Sequence, residues 1–280
     1  MSSILTNVGA HIALQSLNGV NNDLDVVQNR VSTGLKVGGA VDDASSFAIA
    51  QGTRGNLKAY SAVSQGLANA RGVSQVALSG MDSFVEIWSD LKKKIVEGMN
   101  AANTTEQQAL LEADYQNMLN DARNILQGAS YQGTNILIEI AVPFNLAVGQ
   151  VNDVNVIADI DGSSFTLRGQ RIDLYWALQN AENIQTPANA QAALTAWETN
   201  FPLIMEAVGQ LGADRRKLDA QDTFISRMTD ATQEGLGAIV DADMAKESAR
   251  VLAIQTQQQL SVQTLSIANG RPKVLLDLFD

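Results

Sequence analysis

From Val251 to Gly270 the chain carries no charged side chain, and this run limits what the protein can fold into more than any other. Nothing from Asp241 to Asn269 is Pro or Gly, so the stretch reads as one helix. Its apolar residues fall on two lines at helical spacing. One holds Ala245, Ala249, Leu252, Leu260 and Ile267; the other holds Val251, Ile254, Val262, Leu265 and Ala268. One neighbouring helix cannot cover two apolar lines. Between them lie Gln255, Gln257, Gln258, Gln259 and Gln263, where a helix facing water would carry Lys and Glu. The pattern predicts a helix enclosed by several partners.

The N-terminal end has the same character. Residues 1–29 carry two charges, Asp23 and Asp25. Leu14, Leu17, Leu24 and Val31 follow a 3-4 spacing, with Asn21 and Gln28 in the same seam and Ile4, Val8, Ile12 and Val20 on neighbouring faces. A polar seam residue such as Asn21 lowers coiled-coil stability and fixes register. This seam suits a helix pair within the chain, a contact between subunits, or both.

Between the ends, Gly34, Gly38 and Gly39 break the first helix (1–32), and Asp42 or Asp43 can cap the next. A long helix is expected over 43–100, where Gly52, Gly55, Gly66, Gly72 and Gly80 imply close packing or a break. Thr104 or Thr105 caps a helix over 105–128. Asn103-Thr104-Thr105 also matches a glycosylation acceptor, though a cap is the simpler reading. From 135 the period turns to two, predicting strands over Asn135–Ala141, Val151–Ile160 and Ser164–Arg171, with a turn at Asp161-Gly162. Helix returns at Ile172–Asn183 and 188–200. Phe201-Pro202 starts or kinks the next helix, which runs to about 236, and Gly235 and Gly237 mark a joint. The expected fold is mainly α: an elongated antiparallel helical bundle or coiled coil formed by the N- and C-terminal parts, with a small β-hairpin insert.

Composition excludes several classes of function. Nineteen Lys and Arg against thirty Asp and Glu leave a net charge of −11, which argues against nucleic-acid binding and anionic membrane surfaces. With no cysteine, disulfides, thiol catalysis and Cys-based zinc sites are ruled out. The segment Met1–His11 lacks the form of an ordinary signal peptide. His11 is the only histidine and is expected in the first seam, in a structural role. No nucleotide-binding, serine-hydrolase or zinc-protease motif occurs. Asp159-Ile160-Asp161-Gly162 begins like a calcium loop, but the later ligand positions are missing. Asp42/Asp43 and Asp241/Asp243 read as caps before helices. The chain is therefore expected to be no enzyme, with no metal or cofactor.

Three groups of residues carry a family resemblance. The first is Ser3-Ile4-Leu5-Thr6-Asn7, the run Gln28–Val37, Asp42-Asp43-Ala44, Ala48-Ile49-Ala50 and Arg54. The second is Ala122-Arg123-Asn124-Ile125 with Tyr131-Gln132-Gly133-Thr134-Asn135-Ile136-Leu137. The third is Val240–Ala249, Gln257-Gln258-Gln259-Leu260 and Leu265–Asn269. Together they resemble bacterial flagellin, the subunit of the flagellar filament, over roughly 1–140 and 200–280. Gly270-Arg271 before Pro272 and the terminal Asp280 depart from the family pattern.

The resemblance implies a self-assembling structural subunit of the helical filament used for motility, in a short form with little variable outer domain. It implies an inner-tube domain from 1–40 and 240–280, a rod-like bundle from 41–137 and 172–239, and a β-rich insert from 138–171 at the outer tip. The self-assembly residues would be Ile4, Leu5, Val8, Ile12, Leu14, Leu17, Leu24, Val31, Leu252, Ile254, Leu260, Val262, Leu265 and Ile267. The joint motif would be Asp42, Asp43, Asp241, Asp243 and Glu247. Partners would be further copies of the chain, the flagellar export apparatus, a chaperone, and the cap and hook-junction proteins. The place would be the extracellular filament, reached by type III export. A hook–filament junction protein shares the terminal helices and is the alternative, although Tyr131–Leu137 favours flagellin. An enzyme-bearing flagellin would need a larger insert.

Overall fold

A computed structural model describes residues 6–138 and 152–276, with side chains described as far as Gly270. Ile4 and Leu5, the end of the first expected strand and the Arg271 and Asp280 side chains lie outside the described residues. In chain order the elements are α1 (Val8–Thr33), α2 (Ala44–Gly98), α3 (Thr105–Gly128), β1 (Val154–Ile157), β2 (Ser164–Leu167), α4 (Ile172–Asn180), α5 (Pro187–Val240) and α6 (Met244–Leu276). The fold is mainly α-helical. It divides into two compact units, one of residues 1–57 and 230–280 and the other of Lys58–Thr229.

Local chemistry sets the helix ends. Asn7 caps α1, its Oδ1 accepting from the Ala10 N–H at 3.1 Å, and Gly34 closes the helix in the left-handed region at φ 71°. Thr104 forms a full capping box with Gln107 at the start of α3, and the neighbouring Asn103 side chain donates its Nδ2 to the Glu97 carbonyl at 2.9 Å. Thr186 caps α5 through the Asn189 N–H, and Pro187 takes the first helical position.

The core of the second unit is built from long heptad seams. On α2 the buried positions run Tyr60, Val63, Leu67, Ala70, Ser74, Ala77, Met81, Phe84, Trp88, Leu91 and Ile95. On α5 they run Ala190, Ala193, Trp197, Asn200, Ile204, Ala207, Leu211, Asp214, Leu218 and Ile225. Alternating steps of three and four residues keep one face toward a partner helix. The two helices are antiparallel: Trp197 Nε1 donates to the Trp88 carbonyl at 2.8 Å, while Arg71 reaches Asp219 at 3.0 Å and Asp222 at 2.7 Å.

This continuity overrides two expected breaks. Pro202 lies inside α5, exposed between the buried Asn200 and Ile204. The hydrogen bond it forfeits is on the solvent side, where water can satisfy the free carbonyl. Gly235 and Gly237 likewise do not interrupt α5, so the joint falls later, at Asp241–Asp243. Of the α2 glycines at 52, 55, 66, 72 and 80, Gly72 and Gly80 are explained by close packing. A Cβ on Gly72 would lie 2.7 Å from the Tyr131 ring, and one on Gly80 would lie 2.7 Å from the Ala129 Cβ. Gly52, Gly55 and Gly66 meet nothing within 4 Å.

The β region is shorter than expected. β1 and β2 form an antiparallel hairpin, Val154 opposite Leu167 and Ile157 opposite Ser164, turned at Gly162 with φ 81°. Val156, Phe165 and Leu167 join the core of the second unit. Residues 135–138 are not a strand. Ile136 and Leu137 are buried, and their carbonyls accept from the Gln170 N–H at 2.6 Å and the Ile172 N–H at 3.0 Å. Those bonds replace a ladder.

Candidate assembly surface

α1 and α6 pair antiparallel within the first unit. On α1 the covered positions are Ala10, Ala13, Leu17, Val20, Leu24, Val27 and Val31; on α6 they are Glu247, Val251, Ile254, Gln258, Ser261, Leu265 and Ala268. Both sets follow unbroken heptad spacing. Leu24, Val27 and Ile254 form the buried centre, flanked by Val20 and Val251. Three polar contacts punctuate the pair. Asn7 Nδ2 donates to the Ala268 carbonyl at 2.8 Å, Gln258 Nε2 donates to Asn21 Oδ1 at 2.7 Å, and Arg30 meets Glu247 at 3.7 Å. Asn21 thus takes the register role expected of a polar seam residue.

The joint after α1 is a crossing of two backbones. Leu35 bridges Asp241, Lys36 N–H donates to the Val240 carbonyl at 2.7 Å, and Ala242 N–H donates to the Gly34 carbonyl at 2.9 Å. Val37, Ala50 and Val240 pack beside it. The five acidic residues of the expected joint motif divide by task. Asp43 caps α2 through the Ser45 and Ser46 N–H groups and the Ser46 hydroxyl, and the Ser46 bonds hold its carboxyl below the usual carboxylate range. Asp243 caps α6 through the Ala245 and Lys246 N–H groups. Asp42 ties down the glycine turn instead, accepting from Gly38 and Gly39 at 3.0 Å each. Asp241 contributes backbone to the bridge. Glu247 is buried against Arg30 and caps nothing.

The expected assembly residues divide in two. Leu24 and Ile254 are buried and Leu17, Val31 and Leu265 half-buried, all in the seam within the chain. Val8 (64% exposed), Ile12 (63%), Leu252 (67%), Ile267 (65%), Leu260 and Val262 are open. Leu14 is also exposed at 45%; Ala13 takes the seam place expected of it. Gln28 and His11 are exposed as well, so neither fills the seam. The sequence reading missed Ala10, Ala13 and Val27 as seam residues, and Arg30 as the partner of Glu247. Their signal was the unbroken 3-4 spacing from Ala10 to Val31, masked by the smallness of the alanines and by large apolar residues on the other faces.

Among the described residues no cluster of acidic or histidine side chains could hold a metal ion, and no helix is long and apolar enough to cross a membrane. Asp159 and Gly162 belong to the hairpin turn, joined by a backbone hydrogen bond of 3.2 Å.

Two family models match the chain: the bacterial flagellin N-terminal helical region over residues 4–141 and the C-terminal helical region over 194–279. A flagellin of Brucella melitensis is 35% identical over 292 residues, covering 100% of this chain and 99% of that protein. The chain belongs to the bacterial flagellin family. It is accordingly a structural subunit of the flagellar filament. Flagellin FljJ of Caulobacter vibrioides is 32% identical over 281 residues, covering 99% of this chain and 98% of that protein. The crystal structure of Bacillus cereus flagellin shares the fold, with a TM-score of 0.50 at 16% identity over 57% of this chain and 88% of that one.

The family motif Tyr131–Leu137 has a clear local role in this flagellin. Tyr131 and Thr134 exchange backbone hydrogen bonds of 2.9 Å around Gln132 (φ 50°) and Gly133 (φ 81°), a turn that requires two left-handed residues. Asn135 Nδ2 donates to the Leu126 carbonyl at 2.7 Å and its Oδ1 accepts from the Leu137 N–H. The motif closes α3 and lays the chain against Gly72 and Gly80 of α2.

Proposed function

We propose that the chain polymerises through the outward faces of α1 and α6, using Val8, Ile12 and Leu14 from one helix and Leu252, Leu260, Val262 and Ile267 from the other. One observation carries this reading. After α1 and α6 have paired, each still exposes a row of large apolar residues with almost no charge. Apolar area left in water on one subunit contributes about 25 cal/mol per Å² once neighbouring subunits cover it. Leu17, Leu24, Val31, Ile254 and Leu265 hold the pair together, so they act on assembly indirectly. In this reading the paired termini form the inner layer of the filament. Asp42, Asp43, Asp241, Asp243 and Glu247 fix the joint. Family membership also supports delivery of the chain to the cell exterior by the flagellar export apparatus, with chaperone, cap and hook-junction proteins as partners.

The test is seeded growth followed by electron microscopy. Leu260→Asp should abolish elongation, whereas Ser163→Asp, in the exposed hairpin turn, should leave it intact. Normal filaments from Leu260→Asp would remove α6 from the interface. For delivery, the chain should appear in the medium of cells with an intact export apparatus and stay inside cells lacking it; release from the latter would refute that route.

A further inference from the structure

β1 keeps one edge open. In the hairpin, Val154, Val156 and Ala158 turn their backbone hydrogen bonds toward β2, the Ala158 N–H reaching the Ser163 carbonyl at 2.7 Å. The N–H and carbonyl groups of Asn155 and Ile157 therefore point the other way, and they have no partner among the described residues. Beside that edge runs a groove of about 440 Å³, bounded by β1, by the turn at Tyr131–Thr134 and by one face of α2. Its floor is made of small residues, Ala62, Gly66 and Ala70, and a Cβ on Gly66 meets nothing within 4 Å. No charged residue lines it, in a chain of net charge −11. An open strand edge over such a floor suits an extended, uncharged segment whose alternate side chains are apolar.

We propose that the occupant is the chain's own segment Phe144–Val148, seated antiparallel along β1 as a third strand. Residues 139–151 join Ile138 to Asn152 and lie outside the described residues. Two observations select them. Asn152 Nδ2 donates to the Asn135 and Ile138 carbonyls at 3.0 Å each, so both ends of the segment are held together just before β1. Glu139 is its only charge, and Phe144, Leu146 and Val148 alternate with Asn145 and Ala147, the period of a strand with one apolar face.

The parity of the pairing agrees. A connection through residues 149–153 puts Val148 opposite Val154 and Leu146 opposite Val156, whose side chain is buried. The apolar face then meets α2 at Gly66, while Asn145 and Ala147 present their backbone groups to Ile157 and Asn155. Pro143, which has no N–H, falls at the far end and blunts the new edge. An uncovered β1 is a template for pairing with other chains; a segment tethered at both ends outcompetes them by proximity. The groove lies wholly within the second unit, Lys58–Thr229, so the inference is independent of the terminal helices and of the interface proposed above.

The full-length chain contains no cysteine, which gives a clean test. In the double variant Gly66→Cys with Leu146→Cys, mild oxidation should form a disulfide within one chain. Gly66→Cys with Asn145→Cys, where residue 145 faces away from α2, should stay reduced. Amide exchange at Asn155 and Ile157 should run at least about tenfold slower than at an exposed, unbonded amide. Leu146→Asp should abolish that protection. So should Gly66→Leu, which fills the floor where an alanine would only match its neighbours. Unchanged tryptophan emission in both variants would show that the second unit is still folded. Unprotected amides at Asn155 and Ile157 in the parent chain, or protection that survives both substitutions, would overturn the proposal. A disulfide between two chains would also overturn it, by placing a second copy in the groove.

Discussion

Replacing Ile254 with Ala separates the seam of the terminal pair from the rest of the molecule. Ile254 is 6% exposed and packs with Leu24 and Val27, and these three are the buried centre of the α1/α6 contact. Burial of such a side chain contributes about 1.5–3 kcal/mol, so this one residue supplies roughly a third of what that centre provides. Truncation of a buried isoleucine to alanine costs about 2–5 kcal/mol. The low end applies here, because the flanking Val20 and Val251 are only partly covered and can settle into the gap. About 2 kcal/mol corresponds to roughly a 30-fold rise in the opening equilibrium. Amide exchange along α1 and α6 should speed up by that factor.

The chain itself provides the control. Its three tryptophans are Trp88, Trp176 and Trp197, all buried in the second unit. Their emission therefore reports the second unit alone. Ile254→Ala should leave the tryptophan transition where it was while α1 and α6 lose protection. Leu252→Ala, at a residue 67% exposed, should change subunit protection by less than about 0.5 kcal/mol and yet slow filament growth. A fall of several degrees in the tryptophan transition of Ile254→Ala, or unchanged exchange in α1, would refute the reasoning.

Two glycines of α2 should respond in opposite directions. Gly80→Ala drives a Cβ to 2.7 Å from Ala129 and should lower the tryptophan transition by about 1–3 kcal/mol, whereas Gly66→Ala meets nothing within 4 Å and should raise it by up to about 1 kcal/mol. Tyr115 sets an alkaline limit. Burial pushes its phenol well above the ordinary value of 10.0, so only the unfolded chain ionises there as pH passes about 10. Its contribution to stability is complete below that pH and is lost as pH rises above it. Urea midpoints followed by tryptophan emission should fall from about pH 10 upward, and Tyr115→Phe should flatten that slope while forfeiting the bonds to Gln179 at 3.0 and 2.9 Å, at a cost of about 1 kcal/mol at neutral pH.

Periodicity made the helices legible, and residues whose meaning depends on distant contacts resisted reading. The caps at Thr104 and Thr186 and the turn at Gly162 are local chemistry, visible in a few neighbouring residues. Pro202 and the Gly235/Gly237 pair are also local signals, but α5 runs through them because its seam of buried residues continues on either side of Pro202. Residues 135–138 alternate like a strand, yet their carbonyls bond to Gln170 and Ile172, residues far along the chain that no local pattern identifies. On α1, periodicity alone puts the large Leu14 in a seam place that belongs to its small neighbour Ala13, while it puts Leu17, Leu24 and Val31 on the right face. Ala10 and Ala13 line the N-terminal end of the true contact, and Ile12 and Leu14 remain outside it.

That inversion clarifies the division of labour in the terminal pair. A seam of alanines, valines and a few leucines adheres but discriminates poorly between registers, since sliding one helix by a heptad replaces apolar residues with similar ones. Polar residues are stricter. Such a slide would leave Gln258 opposite an apolar side chain or another residue of different reach, and would part Glu247, buried, from Arg30, leaving a charge uncompensated. Contacts at Asn7, Asn21 and Arg30, spaced along the whole of α1, therefore select one alignment. With the register fixed from within, the rows Val8–Ile12 and Leu252–Leu260–Ile267 are held at set positions on the outer surface. On the proposed interface, the charge-free run from Val251 to Gly270 carries two separable functions on one helix: its seam face fixes the alignment within a subunit, and its outer face is the part we propose to meet the next.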